Sequence, residues 1–211
     1  AHFGYFTLLS SAIVGRDGGV HSFEPTPSTF TLLKSNVKDR NNVTLNNCAA
    51  FSKETTLIFN DYGIEYSAFN SFVKARLDKN TLKRINPKKL EVQAISLDEY
   101  IYNKKIHPDF IKIDAESAEY EILKGMSQTL NDIRPIISIE VGDKDIEGVK
   151  SSRDCIQYLI DRGYQACEYK EGHIIRHKLR DRYSYDNILF LPKKSTHELS
   201  SITSDQHKIL R

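Results

Sequence analysis

The chain holds 211 residues, 39% of them hydrophobic and 27% charged, with a formal net charge of +2. That length suits one sizeable domain with its own core, the near-balanced charge argues against a dedicated nucleic-acid binder, and no apolar run approaches the ~20 residues of a membrane span. Three widely spaced cysteines, Cys48, Cys155 and Cys167, form no CxxC pair, so neither a disulfide framework nor a zinc site is expected and a reducing cytoplasm is the expected home.

Residues 1–14 lack a basic leader, so no signal peptide is expected there. Tyr5 to Val14 reads as a helix closed by Gly15 or by Gly18-Gly19. Val20 to Phe23 is a short strand ending at Glu24. Thr26 and Pro27 then open a helix whose inner face is Phe30, Leu32, Leu33 and Val37. Asn42 to Phe51 reads as one further strand. Helix and strand alternate, which predicts a parallel α/β sheet.

Residues 52–96 break that rhythm. Thr55–Phe59 is a strand, Asn60-Asp61-Tyr62-Gly63 a turn, Phe72–Ile85 a basic helical piece and Leu90–Ile95 a strand. Such an excursion either covers a site or decorates the surface. The rhythm resumes with a strand at Phe110–Ile113. A helix over Glu116–Leu130 follows, with Ile122, Leu123, Met126 and Leu130 on one face. A strand at Ile136–Val141 and a helix over 151–162, closed by Gly163, come next. Gln165–Tyr169 and Asn187–Leu191 finish as two strands paired at an edge through the connection Glu171–Asp186. A polar tail runs from Lys193.

The run Asp109-Phe110-Ile111-Lys112-Ile113-Asp114-Ala115-Glu116-Ser117-Ala118-Glu119 is a buried strand ending in a carboxylate, with two more acids close behind. In open parallel sheets, ligands sit outside the carboxyl ends of the strands. Glu24, Asp114 and Glu140 all stand at strand ends, so the three acids are candidates for one crevice. Glu24 follows Gly4 by twenty residues, the spacing at which an acid accepts hydrogen bonds from a ribose.

Ala1-His2-Phe3-Gly4-Tyr5-Phe6-Thr7-Leu8-Leu9, Ser22-Phe23-Glu24-Pro25, Phe110 to Glu119, and Arg134-Pro135-Ile136-Ile137 with Glu140 together resemble the FkbM-type methyltransferases. The resemblance covers most of residues 1–192. It implies a Rossmann-like class I methyltransferase fold: a mostly parallel, doubly wound sheet with an antiparallel C-terminal edge strand. It further implies that the first strand, with the acid and first glycine of the loop after it, is missing from this chain. The implied domain is 1–192, with 52–96 as the excursion and 193–211 as the tail.

The resemblance also implies S-adenosylmethionine as cofactor and a hydroxyl of a saccharide, glycolipid or small natural product as methyl acceptor. It places Ala1, His2 and Gly4 beside the methionine moiety, Glu24 and Pro25 at the ribose, and Cys48 and Ala49 at the adenine. Ser71 resembles a serine that touches the cofactor. Asp114 and Glu116 are the expected catalytic residues, one of them the base that takes the acceptor's proton, with Asp114 also serving the cofactor. Ser117 departs from the family, which usually has glycine there.

Other readings stay open. A nicotinamide-dependent oxidoreductase on a Rossmann fold shares the acid at Glu24. A non-catalytic binding domain is the second alternative. Asp114, Glu116 and Glu140 are hard oxygen ligands, but no metal site is expected. His173 and His177 share a strand face rather than chelating. The basic pieces Lys83-Arg84, Lys88-Lys89 and Arg176–Arg182 read as solvated faces, or as an attraction for an acidic substrate.

Overall fold

The structure, a computed structural model, describes residues 1–73, 87–143 and 145–193. The chain divides into two compact units. The first takes Ala1–Tyr100 and Glu116–Gly125, the second Ile101–Ala115 and the described residues from Met126 onward.

In the first unit, helix α1 spans Tyr5–Val14, as its apolar run predicts. It turns Thr7 and Ser11 inward. Thr7 Oγ1 meets Ser22 Oγ at 2.8 Å and Ser11 Oγ donates to Asn42 Oδ1 at 2.6 Å, while Tyr5, Phe6, Leu9 and Ile13 stay exposed. Strand β1, Val20–Phe23, runs parallel to β2, Val43–Asn46, in a two-stranded sheet. Helix α2, Pro27–Asn36, connects them with Pro27 at its first position, where a missing N–H costs no helical bond. Leu33 and Val37 are buried.

The single strand expected over 42–51 is two, β2 and β3, Ala49–Phe51. The break falls at Asn47, whose Nδ2 donates to the carbonyls of Glu24 at 2.8 Å and Pro25 at 3.2 Å. Strand β4, Thr55–Asp61, pairs antiparallel with β5, Lys88–Ser96, and β3 joins β5 in parallel. Ala49, Phe59, Val92 and Ala94 form a small core on this sheet. The excursion after residue 52 is therefore a packed substructure. Helix α3, Leu97–Lys104, is missing from the sequence expectations. Its start carries capping-box spacing, Ser96-x-x-Glu99, and the Glu99 N–H reaches Ser96 Oγ at 3.4 Å.

The second unit holds one sheet in the order β6-β7-β10-β8-β9. Strand β6, Phe110–Ile113, is parallel to β7, Ile136–Val141. Strand β10, Asp186–Pro192, lies antiparallel between β7 and β8, Tyr164–Lys170. Strand β9, His173–Arg176, pairs with β8 across a two-residue turn. Glu171 and Gly172 of that turn both have positive φ, +50 and +83, the backbone of a tight hairpin.

Two expectations are corrected here. Only the two-stranded sheet is purely parallel; the other two are mixed rather than mostly parallel, through the antiparallel β4–β5 pair in the first unit and the hairpin and meander after Gly163 in the second. The edge strand is β9 within the expected connection 171–186, and the strand at 187–191 is internal.

The helix expected over 116–130 is also two, α4, Glu119–Lys124, and α5, Ser127–Asp132. Gly125 interrupts it. Its carbonyl leaves the helical ladder to accept from Ser96 Oγ at 2.9 Å and the Asp98 N–H at 2.8 Å. Ile122, Leu123, Met126 and Leu130 are nonetheless all buried. Helix α6, Ser152–Ile160, starts on a capping box between Ser151 and Asp154. Residues 74–85 of the expected basic helix, the Lys83-Arg84 pair and the tail from 194 lie outside the described residues. No described helix is long and apolar enough to cross a membrane.

Candidate active site

In the first unit, the loop before α1 closes onto the end of β1. Glu24, 7% exposed, caps that strand. Its Oε2 accepts from the His2 N–H at 2.8 Å and lies 3.3 Å from the Ala1 nitrogen. Its Oε1 accepts from the Thr26 N–H at 3.1 Å. The Ala1 nitrogen also donates to the Phe23 carbonyl at 2.7 Å. Gly4 ends the loop at φ +96, and a Cβ there would come 2.8 Å from Leu33 Cδ1. Both the dihedral and the close approach to α2 require glycine.

The excursion is fastened to this loop. Ser67 Oγ donates to the Ile64 carbonyl at 2.8 Å, so its one proton is used and it accepts from His2 Nε2 at 3.0 Å. Asn70 Nδ2 reaches Thr26 Oγ1 at 3.4 Å. The sequence reading missed Ser67, Asn70 and Asn47, since each acts across a long sequence separation that no local pattern encodes.

Cys48 is half-buried between β2 and β3, and burial pushes its thiol above the ordinary range. Ala49 packs in the small core, so its side chain faces hydrophobic neighbours. Ser71 is 3% exposed and donates to the Glu116 carbonyl at 2.7 Å. Glu116 and Ser117 have φ +48 and +82. The chain thus takes two successive left-handed steps without glycine. The Ser117 N–H is directed to Glu119 Oε1 at 3.3 Å.

In the second unit, Asp114 follows β6 directly, and the register Ile113↔Ile139 sets it abreast of Glu140 on β7. Oxygens of these two carboxylates lie within 4.8 Å of one another. Lys112 Nζ donates to Asp114 Oδ2 at 2.8 Å, and the Tyr185 hydroxyl donates to Glu140 Oε2 at 2.7 Å. Two of the three strand-end acids are therefore neighbours on one sheet, while Glu24 ends a strand of another. His173 and His177 do not share a face. His173 is exposed on β9, whereas His177 lies past its end and is buried against Glu168.

Residues 1–166 match the family model described as the methyltransferase FkbM domain. Hexuronic acid methyltransferase AglP of Haloferax volcanii is 28% identical over 130 residues, 60% of this chain and 49% of that protein. The crystal structure of methyltransferase FkbM from Methylobacillus flagellatus shares the fold with a TM-score of 0.54 at 19% identity, over 90% of this chain and 41% of that one. The chain spans about half the length of the relatives it matches. A match that runs through the loop at Gly4, the acid at Glu24 and the Asp114–Glu119 segment covers well over half of the sequence, and the chain belongs to the FkbM methyltransferase family.

Proposed function

We propose that this protein is an S-adenosylmethionine-dependent O-methyltransferase acting on a saccharide hydroxyl. The clasp of Glu24 on the first loop supports the cofactor reading most directly. An ionised carboxylate has about four lone-pair positions. The His2 N–H and the Ala1 nitrogen occupy Oε2 and the Thr26 N–H takes one position on Oε1, which leaves Oε1 capacity for one hydroxyl of a ribose. Ala1, His2 and Gly4 would flank the methionine moiety. Cys48 would edge the adenine, and Ala49 would support that edge from the core.

When bound, the cofactor supplies an electrophilic methyl on a sulfonium. The residues of the chain align the acceptor with it and remove the acceptor's proton. The proton of the acceptor hydroxyl would pass to Asp114 or to Glu116. Ser71 acts in this scheme through the Glu116 carbonyl, which its hydroxyl already holds. The hexuronic acid specificity of one relative supports a saccharide acceptor. Cysteines free of disulfides at Cys48, Cys155 and Cys167 support a reducing, cytoplasmic setting.

Thermal shift on the full-length protein tests the cofactor. S-adenosylhomocysteine should raise the melting temperature and NAD should not; stabilisation by NAD alone would sink the methyltransferase reading in favour of an oxidoreductase. Binding without transfer to any acceptor would favour a non-catalytic domain. Asp114→Asn and Glu116→Gln, made singly, separate the two candidate bases: the base variant should lose ~100-fold or more in kcat, its partner far less.

A further inference from the structure

We propose that Tyr185 orients the methyl acceptor and that its ring, with Glu140 and Asp114, forms a saccharide platform on the second unit. The inference rests on the methyltransferase reading above and assigns its acceptor contact. Tyr185 is 69% exposed, yet its hydroxyl is fixed on Glu140 Oε2 at 2.7 Å. Glu140 stands abreast of Asp114, with carboxylate oxygens within 4.8 Å. An aromatic face bordered by two acceptor-rich carboxylates matches a pyranose. The apolar ring face of the sugar stacks on the aromatic, and its equatorial hydroxyls donate to the acids.

The backbone on either side of Tyr185 is fixed. Two residues earlier, Tyr183 is 1% exposed. Its backbone N–H donates to Asp143 Oδ2 at 2.8 Å, and Asp143 Oδ1 accepts from the Ser152 N–H at 2.8 Å. Its hydroxyl accepts from the Arg180 N–H at 3.0 Å, which leaves its proton directed at His177 Nε2, 2.7 Å away. One residue later, Asp186 enters the β10 ladder opposite Val141. An exposed aromatic anchored on both sides is preorganised, and so pays little ordering entropy when a ligand stacks on it. The Tyr185 hydroxyl orients the Glu140 carboxylate. Tyr185 acts here as an acceptor-binding residue and also positions Glu140.

The test uses the full-length protein labelled with 3-fluorotyrosine, with the Tyr185 fluorine resonance assigned by its loss in Tyr185→Phe. Methyl β-D-glucuronide and methyl β-D-glucoside serve as probes, and S-adenosylhomocysteine as an independent ligand. Saturable movement of the Tyr185 resonance with either glycoside, absent in Glu140→Ala, is the expected result. A resonance that ignores both glycosides overturns the proposal, even where S-adenosylhomocysteine binds normally. Failure of S-adenosylhomocysteine to bind the unmodified protein would instead strike the cofactor reading. In turnover assays, Tyr185→Ala should raise the acceptor KM by ~10-fold or more, leaving S-adenosylhomocysteine affinity within about twofold. Tyr185→Phe should restore most of KM and keep a deficit in kcat, because the ring remains and the Glu140 contact is lost. Equal losses of both parameters in the two variants would mean that the ring does no stacking.

Discussion

At Glu116 and Ser117, the backbone enters the left-handed region twice in succession, at φ +48 and +82. An L residue there costs roughly 1–2 kcal/mol. The buried Ser71 hydroxyl and the Glu119 carboxylate offset part of that cost. Glycine adopts the φ of Ser117 without the Cβ strain that serine meets. Ser117→Gly should therefore stabilise the protein by about 1 kcal/mol, or ~2–4 °C in melting temperature by differential scanning calorimetry. Ser71→Ala should do the opposite, losing about 1–2 kcal/mol, because it removes the donor from a carbonyl in a strained turn. If Ser71 positions Glu116, the alanine variant loses kcat at unchanged S-adenosylhomocysteine affinity; a loss of affinity alone would return Ser71 to direct cofactor contact. Glu24→Ala is the complementary case. It strips the acceptor from the His2 and Thr26 amides, so cofactor affinity measured by calorimetry should fall by at least ~10-fold.

Individual elements show where local pattern suffices and where it does not. Helices α1 and α6 and strands β1, β6 and β7 fall where periodicity and punctuation put them. Helix α1 ends at Gly15, and α6 opens on the Ser151 cap and stops just before Gly163. The errors come from contacts far away in sequence. Apolar spacing is continuous from Glu116 to Leu130, so nothing local announces that the Gly125 carbonyl will serve Ser96 and Asp98. The Asn47 break and the Tyr185–Glu140 bond have the same origin. The strand-end positions of Glu24, Asp114 and Glu140 are legible because strand ends are, whereas the residues that hold these acids are not. Gly125 itself makes the point testable. A Cβ at this position would stand 1.9 Å from the Phe51 carbonyl oxygen, with no positive φ to blame. Gly125→Ala should cost ~2–3 kcal/mol in urea unfolding through steric conflict alone, whereas an uninterrupted helix would have gained from alanine.

Stability of the whole molecule should carry the signature of one buried polar network in the second unit. Glu168 on β8 is 8% exposed. It accepts from His177 Nδ1 and from Arg180 Nη2 at 2.7 Å, and Lys170 Nζ stands 3.0 Å from its other oxygen. Arg180 also bridges to Asp186 at 2.8 Å, which ties β8 to the start of β10. Burial alone pushes the Glu168 carboxyl up. The hydrogen bonds from His177 and Lys170 and the charge of Arg180 outweigh it and hold the group down at about 2, against an ordinary 4.5. A depressed carboxylate stabilises the fold fully above its unfolded value and loses that contribution as pH falls through the folded one. The window is therefore about 4.5 down to about 2, and the contribution is ~2–3 kcal/mol. Urea unfolding of the unmodified protein and of Glu168→Gln at pH 7, 4 and 3 reads it directly. The gap between the two proteins should be widest at pH 7, begin to close below pH 4.5, and be much reduced at pH 3. A gap as wide at pH 3 as at pH 7 would mean that the glutamate holds these strands by packing and not by its charge.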